Sequence, residues 1–108
     1  MKNELVGAVE RNGNIIGYEL KCPGCKELHF IYVRGASKHM EVKVPEWDFN
    51  EDLKSPTFSP SLLLRSNHGE SNSRRVCHSF IRNGSWQFLN DCTHDLAGKT
   101  VPMVNCGD

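Results

Sequence analysis

The residues best suited to chemistry in this chain are its cysteines and histidines. Cys22 and Cys25 enclose Pro-Gly between two strand-like runs, and such a turn lets two thiolates face one metal ion. The chain has five cysteines, an odd number, and its first residues lack the apolar core of a signal peptide, which favours a reducing cytoplasm over disulfides. A thioredoxin-type dithiol would need a βαβ pattern, which the sequence does not show. The sequence therefore predicts a Zn²⁺ site at this knuckle.

A closed zinc site takes four protein ligands, so the knuckle needs two more. Three sets satisfy the spacing, and each adds two of the residues Cys77, Cys92 and His94. We favour Cys92 with His94, because the dipole at the start of a short helix over 91–98 favours a thiolate at Cys92. The pairs Cys77 with Cys92 and Cys77 with His94 stay open, and His29 is a further substitute. Four protein ligands indicate a structural site, so we assign no catalytic residue.

His78 differs from these residues in the side of the sheet that it faces. Asn83-Gly84 is typical of a two-residue hairpin turn, and the register that it sets places Cys77 and Cys92 on one face. The strand pairs that follow are Ile81 with Trp86 and Ser79 with Phe88. His78 falls on the opposite face near Asp91, where a carboxylate can orient an imidazole. His78 is therefore an alternative ligand, or part of a hydrolase in which zinc, His78 and Asp91 activate water.

Strand patterns dominate the remaining sequence. Residues 5–10 and 15–21 flank Asn12-Gly13 and predict a first hairpin, whose alternation carries Cys22 onto the core face. The further predicted elements are strands at 29–33, 40–44 and 61–65, a surface loop at 66–74 and one short helix at 91–98. A chain of 108 residues encloses one core. We expect one mainly β, zinc-binding domain over 1–108, an antiparallel sheet of two or more hairpins with a zinc knuckle and a short C-terminal helix.

Charge and hydropathy narrow the function classes. Thirteen basic and thirteen acidic residues leave no net charge, so nothing steers the chain toward phosphate backbones, and nucleic-acid binding ranks last. No apolar stretch approaches the roughly 20 residues that a membrane span requires. Arg74 and Arg75 lie in the one local concentration of basic residues and are candidates for binding an acidic partner. The oligomeric state is not indicated by the sequence.

Three strings of the chain resemble a known family. They are Ser55-Pro56-Thr57-Phe58-Ser59-Pro60-Ser61, Cys77-His78-Ser79-Phe80 and Asp91-Cys92-Thr93-His94. They are similar to DUF6527, a small phage-associated family of unknown function whose members are often mislabelled ammonia monooxygenase. The resemblance implies a phage or prophage gene, and related domains occur beside bacterial ubiquitin-like conjugation genes. A chain without a membrane segment gives the monooxygenase label no physical support.

These observations favour a binding protein over an enzyme. A β domain of this size needs a staple, and a metal already explains the cysteines and histidines. We therefore expect a phage-type, zinc-stabilised scaffold that contacts a host protein in the host cytoplasm, as an anti-defence factor such as an anti-CRISPR would. The alternative is the metal-dependent hydrolase with His78 and Asp91.

Overall fold

Two antiparallel sheets make up the architecture. The computed structural model describes residues 4–68 and 73–106. The strands are β1 (Val6–Arg11), β2 (Asn14–Cys22), β3 (Glu27–Tyr32), β4 (Asp48–Phe49), β5 (Phe58–His68), β6 (Ser73–Arg82), β7 (Ser85–Phe88) and β8 (Thr100–Pro102). Three strands form one sheet in the order β1-β2-β3, and five form the other in the order β4-β5-β6-β7-β8. The predicted mainly β, antiparallel class is confirmed, with two sheets in place of one.

Both predicted Asn-Gly hairpins are present. Asn12 and Gly13 have φ values of 53° and 82°, and Asn83 and Gly84 have φ values of 50° and 76°. Positive φ at both central residues is the requirement of the tight turn whose twist matches that of paired strands. The register predicted for the second hairpin is confirmed, since Ile81 pairs with Trp86 and Ser79 with Phe88.

The two sheets share one hydrophobic core. Leu20, Cys22 and Ile31 come from the first sheet, and all three are fully buried. The second sheet contributes Phe58, Leu62, Cys77, Ile81, Trp86 and Phe88 to the same cluster. Along β6 the buried residues alternate with partly exposed ones, so Cys77 faces the core and His78 faces outward. Neighbouring residues of one strand are thus delivered to opposite faces.

The predicted strand at 40–44 does not form. Ala36–His39 form a 3₁₀ helix, and the Glu46 carboxylate accepts hydrogen bonds from the backbone N–H groups of Ser37 at 2.9 Å and Gly35 at 3.0 Å. These bonds lower the pKa of Glu46 to about 2. The Ser37 hydroxyl accepts from Val44 N at 3.0 Å. The segment therefore bonds to this helix and not to a neighbouring strand.

The predicted C-terminal helix is also wrong. Within residues 4–68 and 73–106 there is no α-helix, and 91–98 is a series of turns. Thr93 N donates to Val76 O at 2.9 Å, so the backbone of this segment bonds to β6 instead of to itself. Gly98 adopts a left-handed conformation, with φ 77°. No helix in the described ranges has the length and apolar character needed to cross a membrane.

Candidate active site and metal centre

Four potential metal ligands meet where the two sheets come together. Cys22 ends β2, Cys25 lies in the turn before β3, Cys77 lies in β6, and His94 lies in the turns after β7. One ligand atom from each lies within 4.8 Å of the other three. Cys22 Sγ is 3.8 Å from Cys77 Sγ, which in turn is 3.7 Å from His94 Nε2. This cluster could hold a metal ion and would connect the two sheets.

The knuckle and the histidine ring fit closely against each other. Cys25 N donates to Cys22 Sγ at 3.3 Å, which directs that sulfur into the turn. The His94 ring packs edge-on against Phe88, with 4.6 Å between the ring centroids. A Cβ at Gly24 would lie 2.3 to 2.5 Å from the His94 ring atoms, so only glycine leaves room for the imidazole there. Gly24 is thus a steric requirement of the cluster.

Electrostatics favour a cation among these thiols. The hydrogen bond from Cys77 lowers the pKa of Cys22 to about 4, and that same contact, together with burial, raises the pKa of Cys77. Burial, together with the nearby Cys22 charge, raises the pKa of Cys25 to about 11. One thiol therefore ionises at the expense of the other two, because buried like charges repel. A bound metal ion would remove that conflict and allow all three thiolates.

The predicted ligands divide into those inside the cluster and those outside it. Cys22, Cys25 and His94 belong to it, and Cys77, one of the alternatives, completes the set. Cys92 is buried, but its Sγ accepts a hydrogen bond from His78 N at 3.2 Å and donates one to His78 O at 3.1 Å. Strand alternation puts Cys77 and Cys92 on the same side but does not tell which of them reaches the knuckle.

His78 lies on the outer face in a different constellation. The Ser61 hydroxyl is 3.3 Å from His78 Nε2, and His78 Nδ1 is 3.1 Å from Asp91 Oδ2. If the hydroxyl donates to Nε2, Nδ1 carries the proton that is donated to the carboxylate. The His78 and Asp91 side chains are 24% and 56% exposed, so solvent reaches the group. A hydroxyl, an imidazole and a carboxylate in this order form the arrangement of a nucleophile, a general base and an orienting acid.

A bulge in β5 presents Ser61. Phe58 pairs with Ile81 and Leu62 with Ser79, so four positions along β5 correspond to two along β6. Such bulges re-aim side chains and are frequent beside active sites. Trp47 Nε1 donates to Ser61 O at 3.3 Å and fixes the backbone at this point.

The metal cluster and the Ser61 constellation share two segments, β6 and the turns after β7. Successive residues of β6 engage the turns after β7: Val76 bonds to Thr93, Cys77 contacts His94, and His78 bonds to Cys92 and Asp91. The sequence pattern predicted that His78 lies near Asp91, but it did not single out Ser61. The one signal was its place in the Pro-Thr-Phe-Ser-Pro-Ser string, where the prolines interrupt the strand pattern.

Comparison with known families identifies the family of this chain. The model of one protein family, described as bacterial ubiquitination-like system serine protease (BubE), matches residues 2–89 of the 108. The chain belongs to the BubE family. Ser61 and His78 lie inside the matched range, and Asp91 lies two residues beyond its end. Searches of curated proteins and of solved structures gave no match for the chain.

Membership of the BubE family corrects three expectations. The resemblance to the phage-associated DUF6527 family and the function of a phage anti-defence binding protein are both wrong, because the matching family is one of bacterial serine proteases. The metal-dependent hydrolase with His78 and Asp91 is wrong for the same reason. Both residues also lie outside the metal cluster, and His78 is on the other face of β6.

The predicted partner contacts are not tested by these findings. Arg75 Nη1 lies 3.7 Å from Glu27 Oε1, between the two sheets, and Arg74 is paired with Asn67 in the register of β6 with β5. A host protein as partner, and these arginines as its contacts, stay predictions. Residues 69–72 of the predicted surface loop lie outside the described part of the chain.

Proposed function

We propose that this protein is a serine protease of a bacterial ubiquitin-like conjugation system, with Ser61 as nucleophile, His78 as general base and Asp91 as the carboxylate that orients His78. The observation that carries the proposal is the continuous contact from Ser61 Oγ to His78 Nε2 at 3.3 Å and from His78 Nδ1 to Asp91 at 3.1 Å. The description of the BubE family supports the serine chemistry and the conjugation system independently. Triads of this kind are recognised by geometry and role, since their order along the chain varies among folds.

The reaction follows from these positions. Ser61 Oγ attacks the carbonyl carbon of a substrate amide while His78 Nε2 takes the hydroxyl proton, and Asp91 stabilises the resulting imidazolium. The C–N bond then breaks as His78 returns that proton to the leaving amine, and the acyl group stays on Ser61 as an ester. Water attacks this ester with His78 again as base, which releases a carboxylic acid and restores Ser61.

Labelling of the serine tests this assignment. We expect a fluorophosphonate to modify Ser61 covalently, as located by mass spectrometry of the digested protein, because only an activated serine reacts rapidly. Ser61→Ala and His78→Ala should abolish the modification. Ser59→Ala is the matched control, since Ser59 lies in the same bulge, is exposed and should be dispensable. Labelling of Ser59 instead, or undiminished labelling of His78→Ala, would contradict the proposal.

We further propose that the metal cluster holds Zn²⁺ through Cys22, Cys25, Cys77 and His94 in a structural role. Two sulfurs on a tetrahedral zinc ion are about 3.8 Å apart at the usual Zn–S length of about 2.3 Å. The sulfurs of Cys22 and Cys77 are 3.8 Å apart already. Bound zinc would supply positive charge to three thiolates and join the sheets, and four protein ligands leave it no open position for substrate.

Metal analysis of the purified protein tests this second proposal. We expect one equivalent of zinc, lost in Cys25→Ser and His94→Ala. Cys106→Ser is the matched control, because Cys106 is a cysteine outside the cluster and should leave the zinc content unchanged. Purified protein that folds fully and contains no zinc would contradict the assignment.

A further inference from the structure

One edge of β5 lies open directly beyond Ser61. On that side β4 pairs with Phe58 and Ser59 and goes no further. On the opposite side β6 pairs with β5 from Leu62 to His68. In the described part of the chain no strand continues β4 alongside Leu62 and the residues that follow it.

The backbone of Leu63 points to this open edge. Its cross-strand neighbour is His78, which directs both backbone groups away from β5: His78 O accepts from Leu89 N at 2.9 Å, and His78 N donates to Cys92 Sγ at 3.2 Å. In an antiparallel ladder two opposed residues either exchange both hydrogen bonds or both face away. Leu63 therefore presents its N–H and C=O outward.

Arg65 repeats this arrangement two residues further on. Its neighbour Val76 bonds through both backbone groups to Thr93, at 2.9 Å from Thr93 N to Val76 O and at 3.0 Å from Val76 N to Thr93 Oγ1. At the near end, Ser61 O faces the same side, where Trp47 Nε1 donates to it. The N–H and C=O groups of Leu63 and Arg65 thus lie one after another along the open edge, next to Ser61. They offer two hydrogen-bond donors and two acceptors.

A cavity of about 370 Å³ beside β5 and β6 belongs to the metal cluster, since Cys25, Cys77 and His94 are part of its lining. Leu64 and Arg65 line it from β5, and Glu27 and His29 line it from β3. His29 is 7% exposed, and within the described part of the chain its Nε2 has no hydrogen-bond partner. On the outer face, Leu63 is 41% exposed beside His78. A strand added to the edge would place every second side chain on this outer face, beside Leu63.

We propose that this edge binds the acyl half of the substrate, the residues on the N-terminal side of the scissile bond, as an added β-strand. The inference rests on Ser61 being the nucleophile. That half stays bonded to Ser61 in the acyl-enzyme, so its binding holds the ester in place until water arrives. The distance from Ser61 to Arg65 is about 13 Å at about 3.3 Å per residue, which four substrate residues span. The substrate class is an extended, unfolded tail, because a folded helix or loop cannot pair with the edge.

The test compares covalent inhibitors that react with the same serine. An N-acetylated single-residue diphenyl phosphonate and a randomised mixture of N-acetyl-tetrapeptide diphenyl phosphonates are reacted with the full chain, and modification of Ser61 is followed by mass spectrometry. We expect the tetrapeptides to react at least about tenfold faster, given about fivefold for each hydrogen bond of about 1 kcal/mol. Arg65→Pro removes one edge donor at a position where edge strands tolerate proline, and should lower that advantage about three- to tenfold. Arg65→Ala keeps the donor but loses the same side chain, so it is the reference against which the effect of Arg65→Pro is measured.

The outcomes separate this inference from the proposed function. Equal rates for the single-residue and tetrapeptide phosphonates overturn strand addition and leave Ser61 as the nucleophile. A protein in which neither these phosphonates nor a small fluorophosphonate modifies Ser61 overturns the proposed function and this inference with it. If Arg65→Pro does not fold, as judged by its melting curve, backbone N-methylation of the tetrapeptides with the wild-type protein replaces it. Loss of the rate advantage on N-methylation supports the inference, and its persistence overturns it.

Discussion

The Cys92 sulfur has one role in the sequence prediction and a different one in the structure. The sequence favours it as a metal ligand, whereas in the structure its Sγ bonds to both backbone groups of His78, at 3.2 Å from His78 N and 3.1 Å from His78 O. Cys92→Ala removes both bonds. The carbonyl keeps its bond from Leu89 N at 2.9 Å, so the loss falls mainly on the N–H group. The perturbation therefore acts on the strand that presents the catalytic imidazole.

The expected destabilisation of Cys92→Ala follows from these contacts. A partly buried donor without a partner costs about 1 to 3 kcal/mol, and the void left by the sulfur adds about 1 kcal/mol. A total of about 3 kcal/mol corresponds to a fall in Tm of roughly 12 to 20 °C for a domain of this size. Cys92→Ser retains a donor and an acceptor and should cost about 1 kcal/mol or less. Both variants should keep their zinc.

Three measurements check this prediction: the melting curve, the zinc content and the rate at which a fluorophosphonate modifies Ser61. We expect the rate to fall at least about tenfold in Cys92→Ala, because a small shift of His78 spoils the proton transfer, and to stay near wild type in Cys92→Ser. Cys77→Ser is the reference for a lost ligand. If Cys92→Ser loses zinc while Cys77→Ser keeps it, the Cys92 sulfur is a ligand and the assignment of Cys77 to the metal cluster is wrong.

Three further predictions concern the orienting carboxylate, the knuckle and the metal. Asp91→Asn should lower the rate of amide hydrolysis about 10⁴-fold, as removal of this charge does in other triads. The zinc content and the Tm should stay unchanged. A fall of less than about tenfold would exclude the orienting role of Asp91. Gly24→Ala should weaken zinc binding in a chelator competition, because the added Cβ would lie 2.3 to 2.5 Å from the His94 ring atoms, whereas Pro23→Ala should not. Removal of zinc by a chelator should lower both the Tm and the rate of Ser61 modification. Both quantities are measured on one sample, before and after zinc is restored. An unchanged rate would show that the metal cluster and the Ser61 site are independent.

The sequence predicted the hairpins well because their turns are local. Asn83-Gly84 fixes the conformation of two residues, and the pairing of Ile81 with Trp86 follows from it by counting. The same counting placed His78 on the opposite face from Cys77, where the structure has it. Counting along a strand in this way tells which face of the sheet a residue occupies. It does not tell which distant residue it contacts.

The structural features that the sequence did not predict depend on contacts between distant segments. The turns after β7 bond to β6 through Thr93 and Val76, and this tertiary contact overrides the weak helical preference of 91–98. Ser61 could not be singled out, because its role depends on a bulge that only the pairing of β5 with β6 creates. The choice between Cys77 and Cys92 likewise depends on how the two sheets pack together, which alternation within one hairpin does not encode.

The alternation along β6 limits how this protein can change. Cys77 and His78 are adjacent in the chain but serve a buried cluster on one side and a solvent-accessible serine on the other. Inserting or deleting a single residue just before them would exchange their faces and remove both functions at once. Point substitutions in this strand are therefore the main route open to evolution or design. Transfer of the active site to another scaffold would require β5, β6 and the turns after β7 to move together as one unit.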